Sequence, residues 1–502
     1  MYELLQADFD DDDTSTKNNF KGRNRTGSNL KSCLCALVIS SGMLQFGFNL
    51  ASVNNVNLVV KDFFKDVDHF ESFIWPMAVA IFAIGGMIGS YFGSHAAKRF
   101  GRKYSLLINN SLVICGGILL FCSKEANSVA LLIIGRILVG LNAGVNTTIA
   151  PMYLSEIAPV HLRGAFGTMN QFGIVSGILI ANILGLQQLL GTSSGWPVLF
   201  LITAIIGALQ LIFLPFCPES PRYLLAIKKD EHTATKNLMS LRGTDDVSEE
   251  IEEIRVEAAR ESEIEKVGVI DLFSNSDYHK PLLISIVMQL SQQLSGIGGI
   301  LYYSTELFKS VGLAEKYSQI ATCGVGTLSV IMTIIVVFLV EKSGRRILML
   351  IGLGGMTVLF VVITIALKYA ATERWAQVLS IVATLLSVAF FQIGPGPIPW
   401  FIVAELFTQS SISAAVSIAG PTNWLGNFVV GLLFPIIKKN IHPYTFLPFI
   451  VLLIIFFIFT SFVVPETKGL TVSEINEKLR DEEPKLSQEI QDLPTYTKSN
   501  ED

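Results

Sequence analysis

The sequence predicts an all-α polytopic membrane protein: twelve transmembrane helices in two six-helix pseudo-repeats, with a cytoplasmic helical linker domain between them. Three observations lead there. Of 502 residues, 51% are hydrophobic and only 16% charged, and mean hydropathy is +0.52, whereas a soluble domain carries about 25% charge. The apolar residues fall in blocks of about 20, the length a helix needs to cross hydrocarbon. Charged motifs of the first half also return in the second at nearly one offset. These features exclude a soluble enzyme, a nucleic-acid binder, a disordered scaffold and a small outer-membrane barrel. A net charge of −5, from 37 basic and 42 acidic residues, points to no polyanionic partner and no nucleic acid. All six cysteines (33, 35, 115, 122, 217 and 323) lie in or beside apolar blocks, so they read as membrane-embedded thiols, neither a disulfide framework nor a metal site.

Residues 1–31 form a polar tail with an acidic run at Asp8 and Asp10–Asp13, followed by Lys17, Lys21, Arg23 and Arg25. No signal peptide is read there, since its apolar stretch would follow a short basic start. The N-terminal bundle, 32–217, is assigned helices at 32–53, 73–94, 104–123, 127–152, 165–188 and 197–216. The first connection, 54–72, is read as an external loop. The linker, 218–280, is rich in Glu, Arg and Ala around Glu249–Arg260, the composition of short solvated helices. The C-terminal bundle, 281–464, is assigned helices at 281–303, 319–340, 347–369, 377–403, 411–436 and 446–464, and 465–502 is a polar tail. Two short basic loops, Lys98–Lys103 and Lys342–Arg346, place those loops and both termini in the cytoplasm. Lys438 and Lys439 then fall outside, against the rule.

The repeat is explicit. Arg99-Phe-Gly101-Arg102-Lys103 returns as Lys342-Ser-Gly344-Arg345-Arg346, Pro151…Glu156 as Pro399…Glu405, and Pro218-Glu219-Ser-Pro221-Arg222 as Pro465-Glu466-Thr-Lys468-Gly469. The offsets are 243 (101 to 344), 249 (156 to 405) and 247 (219 to 466), as expected of parallel halves enclosing a central site. All these motifs lie at one end of their helices and join Glu to Arg or Lys beside Gly or Pro. Such charges pair in one conformation and separate in another, so Arg99, Arg102, Glu156, Glu219, Arg222, Glu341, Arg345, Arg346, Glu405 and Glu466 are assigned to gating. Arg136 is expected to reach these carboxylates. Polar residues expected at mid-membrane are nearly all amides: Gln45, Asn49, Asn170, Gln171, Gln289, Gln292, Gln293, Gln392, Asn423 and Asn427, with Ser291. Aromatics lie near them in sequence (Tyr302, Tyr303, Phe391, Trp400, Trp424). Amides donate and accept hydrogen bonds without charge, which suits a neutral, hydroxyl-rich ligand such as a sugar. No Asp or Glu falls near a helix midpoint, and no histidine forms an obvious relay, so the path offers no titrating group for a proton. Gly394-Pro-Gly-Pro-Ile-Pro399 breaks the tenth helix, as tolerated where backbone lines a cavity. Asn24-Arg-Thr26 is cytoplasmic in this topology, and Asn109 and Asn146 are intramembrane, so none reads as glycosylated. No metal spacing, phosphate loop or nucleophile elbow appears, and no cofactor is expected.

Taken together, Arg99–Lys103, Pro151–Pro159, Pro218–Arg222, Glu341–Arg346, Gly394–Trp400 and Pro465–Gly469 resemble the sugar porters of the major facilitator superfamily. Leu162-Arg163-Gly164…Asn170-Gln171 and Gln289-Leu-Ser-Gln292-Gln293-Leu-Ser-Gly296-Ile297 are similar to the facilitative glucose transporters of animals, from about Leu34 to Ile475. The resemblance implies alternating access and one hexose held mainly by the C-terminal half. Its implied contacts are Gln171, Ile174, Gln292, Gln293, Ile297, Phe391, Trp400 and Asn427, with Trp424 and Gln392 beside them, and Arg163 joins the gating set. Gln289-Leu-Ser291 matches the glucose-preferring members, and Asn49 stands where proton-coupled relatives carry aspartate. Departures are Gly298 and Ser329 for asparagines, Gln392 for a glutamate, Ile412 for an arginine, Ser94 and Lys98 in the first basic loop, and no first-loop glycosylation site. The expectation is facilitative hexose uniport, D-glucose foremost, by a monomer in the plasma-membrane bilayer, and no enzyme activity. The alternatives are a proton-coupled sugar symporter and a non-transporting sugar sensor. Sensors of that kind carry a long signalling tail, and about 37 residues follow the last helix here.

Overall fold

The computed structural model describes residues 30–479, apart from 160, 161, 264–266, 371, 409, 471, 473 and 476, and leaves out the side chains of 163, 260–263 and 341. Residues 1–29 (with Asn24–Thr26) and 480–502, His161 and the side chains of Arg163 and Glu341 therefore lie outside the described residues. Among the described residues, all regular secondary structure is helical. Six helices build the first half: α1 (Leu30–Phe63), α2 (Trp75–Phe100), α3 (Arg102–Glu125), α4 (Val129–Ile157), α5 (Arg163–Leu184) and α6 (Trp196–Phe213). The linker holds α7 (Glu231–Arg242), α8 (Ser248–Glu263) and α9 (Val269–Ser274). The second half holds α10 (Ser276–Leu294), α11 (Ile297–Ser310), α12 (Glu315–Lys342), α13 (Arg345–Tyr369), α14 (Arg374–Ile393), α15 (Ile398–Leu406), α16 (Ile412–Ile441) and α17 (Leu447–Phe462). Among the described residues, nine helical spans are long and apolar enough to cross a membrane. The broken pair α10–α11, α16 and the shorter apolar α17 pack into the same bundle.

Two boundaries differ from expectation for physical reasons. The seventh helix is two helices, because Gly296 takes φ +87°, a left-handed conformation that ends α10 and restarts the chain as α11. The supposed loop 54–72 is helical as far as Phe63. Its Asn54, Asn55 and Asn57 look like loop residues in sequence, yet they are buried against α11. The tenth helix breaks where the prolines require, between Ile393 and Ile398.

Within the first half the helices approach to backbone contact. A Cβ added at Gly144 of α4 would stand 2.0 Å from the carbonyl oxygen of Gly86 on α2, the small-residue packing that membrane helices use in place of a hydrophobic drive. Gly144→Val is therefore expected to abolish the monodisperse folded protein in detergent size-exclusion. Gly167→Ala, which meets nothing within 4 Å, is expected to leave the elution peak unchanged.

The halves meet along α1–α11, α2–α16 and α5–α12. The linker is fastened to the first half through Arg242, whose guanidinium donates to the carbonyls of Ile157 (2.9 Å) and Ala158 (3.3 Å) and pairs with Glu250 at 2.6 Å. Asp230 caps α7 by accepting from the Thr233 N–H, and the Thr233 side chain, together with that N–H, holds its carboxyl below the usual carboxylate range.

Candidate functional site

At the end carrying the basic loops, the repeated motifs fold into two matching charge assemblies. In the first half Arg102 donates to both oxygens of Glu156, at 2.8 and 2.7 Å, and to the Ala97 carbonyl at 3.2 Å. Glu219 lies across the start of α3 and accepts from the backbone N–H groups of Arg102 (3.0 Å) and Lys103 (3.1 Å) and from Ser220 (2.9 Å). In the second half Arg345 donates to Glu405 (2.9 Å) and to the Val340 carbonyl (3.1 Å). Glu466 accepts from the N–H groups of Arg345 (2.7 Å), Thr467 (3.1 Å) and Lys468 (3.2 Å). Both carboxylates sit on helix N-termini, where the dipole and free N–H groups favour an anion. The glycine of each motif makes room for them: a Cβ at Gly101 or Gly344 would fall 2.4 or 2.0 Å from Glu219 or Glu466. Burial raises the Glu219 carboxyl above its ordinary range, while its backbone partners pull the other way.

The remaining expected gating residues are dispersed. Arg222 pairs with Glu257 of the linker at 3.5 Å, Arg346 donates to the Ser461 carbonyl, and Arg99 lies 5.6 Å from the Phe100 ring. Arg136 corrects an expectation. It reaches no carboxylate among the described residues. It is 1% exposed, donates to the carbonyls of Asn49 (2.9 Å), Ala78 (3.2 Å) and Val79 (3.4 Å), and stands 4.7 Å from the Phe82 ring. Its position on α4 faces the α1–α2 seam, well inside the bundle, so it ties three helices together instead of joining the gate charges.

Deeper in the second half the amides converge. Asn423 of α16 donates to Gln289 (2.8 Å) and Gln292 (2.5 Å) and accepts from Gln293 (3.0 Å). Gln293 in turn accepts from Asn427 (3.1 Å), which accepts from the Tyr302 hydroxyl (2.8 Å). Gln292 also donates to the Gly396 carbonyl, freed by the Gly-Pro break. One network thus joins both discontinuous helices to α16. Beside this network, Gln171 of α5 in the first half donates to Gln392, next to the helix break, at 3.4 Å. Ile174, one turn on, is half-buried, Ile297 starts α11, and Phe391 is nearly buried at the break. Trp400, just beyond the break, is 40% exposed. Trp424 is placed differently: it wedges between the halves against Phe46 (5.3 Å between centroids) and Phe82 (5.9 Å).

Other mid-membrane amides stay outside this network. Gln45 bonds Gln210 (2.9 Å), Asn49 bonds Thr203 (2.7 Å), and Asn109 bonds Asn146 (3.2 Å), all within the first half. They are helix–helix ties. The departures from the resemblance have local accounts as well. A Cβ at Gly298 would stand 3.2 Å from Val430, and the Ser329 hydroxyl donates to the Val325 carbonyl of its own helix.

A third cluster was not anticipated. At the end opposite the basic loops, Asn54 donates to Ser304 (2.8 Å), Thr305 donates to Asn55 (2.6 Å), and Asn57 donates to Glu306 (2.7 Å). Gln187 and Asn182 of the first half likewise bond Gln319 and the Thr322 carbonyl. Among the described residues, hydrogen bonds between the halves concentrate at this end, which is closed. An uninterrupted helical pattern through 54–63, without Gly or Pro, was the available signal.

A family model described as "Sugar (and other) transporter" matches residues 34–479. The dog protein "Solute carrier family 2, facilitated glucose transporter member 3" is 47% identical over 455 residues, covering 88% of this chain and 92% of that protein. Its human counterpart is 46% identical, covering 87% and 90%. Among solved structures, the partially occluded inward open conformation of the xylose transporter XylE from E. coli superimposes with a TM-score of 0.74 at 26% identity, covering 88% of this chain and 99% of that one. The proton:xylose symporter XylE bound to 6-bromo-6-deoxy-D-glucose gives 0.72 at 26% identity, covering 89% and 98%.

Proposed function

Because the chain belongs to the sugar transporter family, we propose that this integral membrane protein carries a hexose, D-glucose foremost, down its gradient by alternating access. The observation that carries the reading is the amide network across α10, α16 and the Gly-Pro break. Every amide in it both donates and accepts, so a sugar hydroxyl can enter by replacing one amide–amide bond with two of its own. An amide left unpaired costs about 1–3 kcal/mol, which favours a ligand that pairs all of them at once. Gln292, Gln293 and Asn427 are the proposed polar contacts, with Gln171 and Gln392 closing from either side. Ile174, Ile297, Phe391 and Trp400 would supply the apolar wall, and Trp424 would position α16 against the first half.

In this reading the basic-loop end is cytoplasmic, both termini lie inside, and twelve membrane crossings form the two halves. The state described is closed outward. The two charge assemblies keep each half rigid at the inner end while the halves rock about the site. A monomer in the plasma membrane is sufficient, and no enzyme activity is involved. Downhill transport is favoured over symport because Asn49, whose side chain donates to the Thr203 hydroxyl at 2.7 Å, is an amide, and an amide holds no proton to release.

Purified protein in liposomes is expected to equilibrate labelled D-glucose without accumulating it, with or without an imposed pH gradient. Proton-driven accumulation would establish the symport alternative, and the absence of flux would favour a sensor. Competition by galactose, mannose and fructose in the same vesicles gives the substrate range.

A further inference from the structure

The closed end contains a buried ion cluster that hexose binding does not use. Glu306 projects from α11 and is met by Lys438 of α16 at 3.1 Å, in its own half. From the other half it is met by Lys61 of α1 at 3.3 Å and by the Asn57 amide at 2.7 Å. Lys438 also donates to the Glu306 carbonyl at 3.2 Å. The two lysine side chains are only 12% and 13% exposed and the glutamate 25%. The next charge, Glu71, lies 3.8 Å from Lys61 and is 79% exposed. One carboxylate therefore holds two largely buried ammonium groups, one from each half of the molecule. This also accounts for Lys438, a cation at the end where the loop charges predict none: it is neutralised locally.

We propose that Glu306 is the latch of the outer gate, a positioning residue whose bond to Lys61 sets how much of the population stands closed at this end. The inference rests on the alternating-access reading. The neighbouring bonds, Asn54 to Ser304 and Thr305 to Asn55, are uncharged and exchange for water at little net cost. The ion cluster behaves differently, because removing one member of a buried set leaves the others charged and unpaired. Without the carboxylate, Lys61 keeps only the exposed Glu71 and Lys438 only a backbone carbonyl, and two largely buried ammonium groups face each other across the seam. Separating the halves then returns both to water.

The test reads the gate directly. Spin labels carried by a keto amino acid at positions 66 and 440, both exposed and one on each half, report the separation at the outer end by pulsed dipolar spectroscopy, and the native cysteines stay unlabelled. Glu306→Gln is expected to raise the open-to-closed ratio about tenfold. Lys61→Met should do the same, and Lys438→Met, whose partner lies in its own half, should shift it far less. Glu306→Lys combined with Lys61→Glu rebuilds one anion among two cations and should return the distribution to that of the parent. If Glu306→Gln does not fold, Lys61→Met and the swapped pair decide.

Distance distributions that superimpose for parent, Glu306→Gln and Lys61→Met would overturn the latch, as would a swapped pair no closer to the parent than Lys61→Glu alone. Hexose flux through the same preparations separates the two readings. A shift in protein that moves no hexose sinks the transport reading and leaves the latch standing, whereas hexose flux without a shift sinks only the latch.

Discussion

Arg102→Met is expected to destabilise the protein by about 3 kcal/mol, and Arg345→Met by only about 1 kcal/mol, although the two arginines hold corresponding places in the repeat. The difference follows from burial and geometry. The Arg102 and Glu156 side chains are 10% and 7% exposed and share two hydrogen bonds, whereas Arg345 and Glu405 are 20% and 26% exposed and share one. Loss of Arg102 strands a carboxylate at a buried helix end, while Glu405 keeps the Thr467 hydroxyl as a donor. Thermal unfolding of the two variants in detergent, followed by size-exclusion, measures the ordering. Equal losses would show that solvent access does not set the worth of these assemblies.

Gln292→Ala is expected to lower hexose transport at least tenfold while leaving surface expression near that of the parent. Gln292 sits at the junction of the network: it accepts from Asn423 and donates to the Gly396 carbonyl at the helix break. Two hydrogen bonds to a bound hydroxyl, at about 1 kcal/mol each, correspond to roughly tenfold or more in affinity. Trp400→Ala should weaken transport as well, through lost apolar cover, since no hydrogen bond ties the exposed indole to the network. Initial-rate uptake in liposomes at several hexose concentrations separates an affinity loss from a turnover loss. Unchanged uptake in both variants would remove these residues from the site.

Much of this was legible in the chain. Hydropathy blocks give the helices because hydrocarbon demands about 20 apolar residues per crossing, and the offset near 247 between Glu219 and Glu466 gives the two halves. The Gly-Pro run gives the break in the tenth helix because proline cannot continue an α-helical ladder. The break in the seventh escaped, since a single glycine in an apolar run carries no such obligation, and only its φ of +87° reveals it. Arg136 was misread because sequence shows that a cation stands near a helix end and not which seam its guanidinium enters. The amides were all visible, yet Gln45 and Asn49 bind within one half while Gln292 and Asn423 face the helix breaks.

Composition and repeat therefore determine by themselves that this is a helical membrane protein of two related halves, with its charges at the helix ends and amides in its interior. Those properties depend on the solvent each residue type tolerates, which is a local matter. Tertiary structure alone decides which polar groups meet: Arg102 with Glu156, Gln293 with Asn427, and Glu306 with Lys61, 245 residues away. A hydrogen bond or ion pair is fixed to within a few tenths of an ångström, and helix rotation and tilt move side chains by far more than that. The pairing of polar residues, and with it the site and the latch, belongs to the packing of whole helices.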